Sequence, residues 1–147
     1  MTSEGHWHSA VVYQVYWRSF KDGNGDGIGD LKGLRSKIGY LSSLGVDAIW
    51  LNPTYPSPQG DHGYDVSNYF DVDPLFGTLE ELEQAIDEFH DHGMAVLLDI
   101  VPNHVSSQHP WFISAKEGGH GHEAESRFII RQGKGDSGAV SYTHLTL

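Results

Sequence analysis

No cysteine occurs in the 147 residues, which excludes a disulfide framework and any thiolate site. Basic residues are sparse: nine Lys and Arg stand against twenty Asp and Glu, for a formal net charge of −11. Nucleic-acid binding relies on clustered Lys and Arg, so that class of partner is excluded. An anionic membrane surface would repel the chain as well. Long apolar runs are also missing. Ala95-Val96-Leu97-Leu98 is far too short to span a bilayer. The opening Met1 to His8 lacks the basic stretch followed by an apolar one that marks a signal peptide. The expectation is a cytoplasmic protein kept in solution by its charge. A hydrophobic content of 38% with 12% aromatics belongs to a folded domain, not a disordered chain.

What is present is an alternation of two periodicities. Val11 to Trp17 is rich in β-branched and aromatic residues and reads as a strand. After a Gly/Asp loop from Asp22 to Asp30, Leu31, Leu34, Ile38, Leu41 and Leu44 recur at spacings of three and four, which predicts a helix ended by Gly45. Val46 to Leu51 is a short apolar run stopped by Pro53, a buried strand. The stretch 52–77 holds four prolines and no sustained period, and a loop of that length is usually functional. Thr78-Leu79-Glu80-Glu81 is a capping box; Leu79, Leu82, Ile86 and Phe89 make the apolar face behind it, and Gly93 stops the helix. Met94 to Val101 is a third strand. The order β-α-β-α-β with near-continuous apolar strands implies a parallel sheet covered by helices. Both a doubly wound sheet and a (β/α)₈ barrel fit that order. The glycines at 23, 25, 27 and 29 never make the Gly-x-Gly-x-x-Gly turn of the doubly wound fold, so the barrel is favoured.

Beyond Ser106 the pattern weakens. His109 to Phe112 opens an aromatic-bearing loop, and Arg127 to Arg131 has the character of a short strand. Gly133 to Leu147 shows neither helix period nor cap, and residues 141–147 look foreign to what precedes them.

Asp22-Gly23-Asn24-Gly25-Asp26-Gly27-Ile28-Gly29-Asp30 sets oxygen-bearing side chains at every second position. Hard cations take six to eight oxygen ligands, and alternating Asp and Asn on a Gly-rich turn converge them. The other reading is an acidic, solvated turn whose glycines permit sharp bends. The pattern departs from a helix-loop-helix calcium loop, because Gly33 stands at the twelfth position instead of Glu and a strand leads in.

In such barrels the chemistry lies at the C-terminal ends of strands. The second strand is followed by Gly60 to Tyr69 and the third by Asp99 to His104. A sugar needs flat aromatic surface and acceptors for vicinal hydroxyls. Tyr64 and Asp65 offer both side by side, and His104 adds a donor. Each has a bland alternative: Tyr64 as packing, Asp65 as a turn residue, Asp99 as a cap, His104 as a structural imidazole. The pairs His6/His8, His90/His92 and His120/His122 lack a third ligand at zinc spacing and are read as solvated.

Together these segments resemble glycoside hydrolase family 13, the α-amylase family, and within it the α-glucosidase and oligo-1,6-glucosidase branch. The carriers are Val12 to Phe20, the loop Asp22–Asp30, Leu41 to Pro53, Gly63-Tyr64-Asp65-Val66, Phe76-Gly77-Thr78 and Asp99 to His104. The resemblance implies the first three strands of a catalytic (β/α)₈ barrel over residues 1–104 and the start of an inserted small domain over 105–140, with 141–147 as a non-native tail. It implies that Tyr64 stacks on a terminal glucose of an α-linked oligosaccharide or disaccharide, that Asp65 and His104 bind its hydroxyls, and that Asp99 is a buried organiser. It assigns Asp22, Asn24, Asp26, Ile28 (through its carbonyl) and Asp30 to a structural Ca²⁺ or Mg²⁺. The family's chemistry is retaining hydrolysis by an Asp nucleophile and a Glu acid/base about 5–5.5 Å apart. Those residues follow later strands, so this chain is expected to be inactive alone. A trehalose synthase, a sucrose-cleaving relative, a non-catalytic relative and a calcium-binding fragment are the alternatives.

Overall fold

The structure is a computed structural model, and it describes residues 6–118, 123–131 and 140–141. Strands β1 (Val12–Val15), β2 (Ala48–Leu51) and β3 (Ala95–Leu98) form a parallel sheet in the order β1-β2-β3. Its register aligns Val12 with Ala48 and Ala95, and Val15 with Leu51 and Leu98. Each crossover is helical, which is what parallel neighbours require. The strands are shorter than the apolar runs that announced them. Asp47 N donates to the Val11 carbonyl and Asp99 N to the Leu51 carbonyl, so backbone pairing continues past each strand's formal ends.

The chain divides into two compact units, residues 1–54 with 71–99 and residues 55–70 with 100–147. The first unit contains the sheet. Its core gathers Val15, Leu34, Leu41, Ile49, Leu51 and Phe89, all fully buried. The helix predicted over 31–44 is two: α2 (Leu31–Arg35) and α3 (Ile38–Ser43). Leu31, Leu34, Ile38 and Leu41 still face inward, whereas Leu44 is exposed at the cap. Gly45, at φ +75°, ends the second helix. A one-turn helix, α1 (Trp17–Phe20), had no sequence signal. It turns Trp17 under the sheet, stacked on Phe76 at 5.0 Å with its indole N–H donating to the Asn52 carbonyl at 3.0 Å. Helix α4 (Leu79–Asp91) carries the expected capping box: Glu81 N donates to Thr78 Oγ1, and Thr78 N to Glu81 Oε2. Its buried face is Leu82, Ala85 and Phe89; Leu79 is exposed in the first turn. Arg35 on α2 clasps Glu88 on α4 through both carboxylate oxygens.

The second unit holds the loop 55–70 and the chain from Ile100 onward. The aromatic segment read as a loop is a helix, α5 (Pro110–Gly118). Pro at its first position is a good helix start, and the helix was missed because its apolar residues run consecutively instead of at helical spacing. A 3₁₀ turn follows at Glu123–Arg127, so the expected strand is shortened to β4 (Ile130–Arg131), paired antiparallel with β5 (Val140–Ser141). Residues 142–147 of the suspected tail lie outside the described residues. Among the described residues, no helix is long and apolar enough to cross a membrane.

Candidate functional site

The loop Asp22–Asp30 belongs to the first unit and is closed by its own side chains. Asp22 accepts backbone N–H bonds from Asn24, Gly25 and Gly27, which draw its carboxyl below the ordinary carboxylate value. Asn24 Oδ1 accepts from Asp26 N, and Asp26 Oδ1 from Ile28 N. Asp30 is buried and is the N-cap of α2, accepting from Gly33 N at 2.6 Å and Gly23 N at 3.1 Å. The loop lies so close to its surroundings that a Cβ at Gly29 would meet the Trp17 carbonyl oxygen at 1.9 Å, and in α2 just beyond it a Cβ at Gly33 would meet the Lys21 carbonyl oxygen at 1.9 Å. Gly25 and Gly27 sit at φ +91° and +92°, which L side chains rarely adopt. Oxygen is the donor type a hard cation takes, and each carboxylate oxygen retains acceptor capacity after one N–H bond, but here the side-chain oxygens are turned onto the loop's own N–H groups. Among the described residues, no three His, Cys, Asp or Glu side chains form a metal cluster. His120 and His122 lie outside the described residues, and His92 Nδ1 is engaged by the Glu88 carbonyl at 2.8 Å.

The second unit brings Tyr64, Asp65 and His104 together. His104 Nε2 lies 3.1 Å from the Tyr64 carbonyl, and Asn103 Nδ2 lies 3.2 Å from His104 Nδ1. The two strand-end loops thus meet through the histidine. Asp65 is half-buried and holds its own turn: Ser57 Oγ donates at 2.6 Å, Gly60 N at 2.9 Å and Asp61 N at 3.2 Å. Burial raises this carboxyl, but the hydrogen bonds from Ser57 and the backbone amides of Asp61, Asp65 and Gly60 outweigh it, so it sits below its ordinary value. The turn is strained, with Gln59 at φ 60° and His62 at φ 54°, left-handed conformations that cost free energy outside glycine. A carboxylate clamp across three donors is the compensating interaction. Asp61 is exposed on the turn that Asp65 closes.

Asp99 lies in the first unit at the end of β3, its N–H donating to the Leu51 carbonyl at 3.2 Å. It is half-buried instead of buried, because β3 is an edge strand of the three-stranded sheet.

Behind His104, the Tyr69 hydroxyl reaches the Val101 carbonyl at 2.5 Å and the His104 carbonyl at 3.0 Å. Its ring packs against Tyr55 (centroids 5.4 Å apart) and His109 (5.9 Å). His109 is buried and packs edge-on to Trp111 at 5.1 Å, and Arg127 covers the Trp111 ring at 5.4 Å. A cavity of about 580 Å³ in this unit is lined by Tyr69, Phe70, Ile100, Val101, His109 and Trp111 among others.

Residues 14–141 match the model of the α-amylase catalytic domain. The chain is 53% identical over 110 residues to a probable α-glucosidase of Rhizobium meliloti (strain 1021), covering 75% of this chain and 20% of that protein. It is 50% identical over 111 residues to the oligo-1,6-glucosidase of Heyndrickxia coagulans, covering 76% and 20%. Among solved structures, a MutB mutant in complex with the substrate sucrose matches with a TM-score of 0.85 at 47% identity, over 93% of this chain and 24% of that one. The isomaltulose synthase from Klebsiella sp. LX3 matches with a TM-score of 0.84 at 46% identity, over 88% and 23%. The chain spans about a fifth of the length of these curated relatives. The parallel β-α-β-α-β sheet is part of a (β/α)₈ barrel, and the chain belongs to the α-amylase family of glycoside hydrolases.

Proposed function

We propose that the whole protein hydrolyses terminal α-glucosidic bonds of oligosaccharides with retention of configuration, and that this chain supplies the pocket for the terminal glucose. The observation that carries the reading is the junction of the two strand-end loops, where His104 Nε2 meets the Tyr64 carbonyl. Tyr64 offers an aromatic face for the sugar's C–H surface, and His104 reaches a sugar hydroxyl by exchanging its bond to the Tyr64 carbonyl or to Asn103. Asp65 holds the turn and shares its remaining acceptor capacity, while Asp61 is the exposed carboxylate beside it. Asp99 organises the end of β3. The names of the α-glucosidase and oligo-1,6-glucosidase relatives support this substrate class.

The loop Asp22–Asp30 is the seat of a structural Ca²⁺ or Mg²⁺ in this reading, with Asp22, Asn24, Asp26, the Ile28 carbonyl and Asp30 as donors. The ion would tie β1 to α2 and take no part in bond cleavage. The nucleophile and the acid/base belong to barrel strands beyond the three described here, since a full barrel takes about 250 residues. Residues from 105 onward are read as the start of an inserted domain, and the protein is read as cytoplasmic.

The test is release of nitrophenol from p-nitrophenyl α-glucoside. The full-length parent should release it and the isolated chain should not; turnover by the pure chain would sink the assignment of the missing carboxylates. A second reading is rearrangement of sucrose. It is favoured by the match to a MutB mutant holding sucrose and to an isomaltulose synthase. Product analysis of the parent with sucrose separates the two: glucose and fructose for hydrolysis, an isomeric disaccharide for the alternative.

A further inference from the structure

We infer that Tyr69 is a positioning residue: its hydroxyl holds the backbone of the loop that carries His104, and two neighbouring rings hold the phenol. This rests on the reading of His104 as a glucose-binding side chain. A phenol has one hydrogen to donate, and here two carbonyls face it, Val101 at 2.5 Å and His104 at 3.0 Å. Both belong to the segment that leads out of the third strand. The same segment is tied at its far end by Ser106 N donating to the Val66 carbonyl at 2.8 Å. Between these ties stands His104, whose Nε2 reaches the Tyr64 carbonyl at 3.1 Å. Fixing the main chain of a residue fixes the direction in which its ring leaves, and binding geometry depends on such support.

The phenol is itself immobilised. Tyr55 packs on it at 5.4 Å and His109 at 5.9 Å. His109 is held by its own bond, Trp111 N donating to His109 Nδ1 at 3.1 Å. Burial and the neighbouring Tyr55 push the Tyr69 phenol above its ordinary value, so it stays a donor through the neutral range.

The substitution Tyr69→Phe keeps the ring and deletes the donor. In the chain as it exists, the His104 side-chain nitrogen resonances of the variant should move and lose the signature of the bond to Tyr64. Affinity for methyl α-glucoside, followed by NMR titration, should fall by about tenfold, the scale of one buried hydrogen bond. Tyr55→Phe, which leaves the Tyr69 hydroxyl in place, should keep both. Unchanged His104 resonances in a folded Tyr69→Phe chain would overturn the inference. If that variant does not fold, the unsubstituted chain decides: a Tyr69 hydroxyl proton slow to exchange with water supports the bond, and a freely exchanging one overturns it. A parent chain that binds no methyl α-glucoside, yet whose His104 resonances respond to Tyr69→Phe, refutes the sugar site and leaves the positioning role standing.

Discussion

Glycine at 33 is dictated by contact. A Cβ there would lie 1.9 Å from the Lys21 carbonyl oxygen and 2.7 Å from its carbon, both backbone atoms that cannot rotate away. Gly33→Ala should therefore destabilise the first unit by about 1–3 kcal/mol, the usual range for forced overpacking, read as a lowered midpoint in urea. Gly39, with open space around its Cβ position, is the control and should tolerate Ala. The requirement at Gly33 was not visible in the one-dimensional pattern, where the two helix glycines, Gly33 and Gly39, looked alike. That the loops bearing Tyr64, Asp65 and His104 are neighbours was legible, because they follow adjacent strands of one parallel sheet. That Asp65 spends its carboxylate on its own turn was not, because it depends on Ser57 and two amides coming within reach.

Helix termini illustrate what local chemistry does for an element. Thr78→Ala removes the acceptor for Glu81 N and should cost about 1 kcal/mol, measured as a shift in denaturation midpoint. The Arg35–Glu88 pair joins α2 to α4, but both side chains are about a third exposed, so Arg35→Ala should cost at most about 1 kcal/mol, and less in high salt. Helix α5 is capped in a different way, by an imidazole: His109 Nδ1 accepts from Trp111 N. Protonation removes that acceptor and places a cation at a helix N-terminus, where the dipole opposes it. Burial holds His109 below its ordinary value. The unfolded chain therefore binds the proton more readily, and stability must rise with pH across the interval. The contribution is present above about pH 6.5, the ordinary histidine value, and is lost as pH falls through the folded value. Thermal melts at pH 7.5 and 5.5 should show the loss, and His109→Asn, which supplies a cap with no titrating ring, should reduce it.

For the whole molecule, the sheet itself shows that its covering is incomplete. Parallel sheets are normally buried on both faces, yet Val12, Trp50 and Leu97 are 43%, 37% and 38% exposed on one face of this one. The second unit likewise exposes Phe70 and Ile100. An isolated chain with such surfaces should self-associate at high concentration, and light scattering against dilution checks this. Metal binding belongs at this scale too. If the loop Asp22–Asp30 holds Ca²⁺, adding it to metal-stripped protein should raise the melting temperature by mass action. Asp22→Ala should abolish the rise. An unchanged melt in millimolar Ca²⁺ and Mg²⁺ would refute the metal assignment.

By itself the sequence determined the three parallel strands, the helical character of 31–44 and 79–91, the capping box at Thr78, the stops at Gly45 and Gly93, and the family. Those features are written in spacings of a few residues, and local physics reads spacings. Tertiary structure alone decided that α1 exists and that the long helix breaks at Ser36. It also decided that α5 forms behind His109 and that the loop 55–70 joins the chain beyond Asp99 in one unit. The first and the last of these depend on partners distant in sequence. Trp17 turns inward because Phe76 and the Asn52 carbonyl receive it. Tyr69 finds Val101 and His104 more than thirty residues away. Such contacts leave no period in the chain, because their free energy is realised only when the two segments have already met.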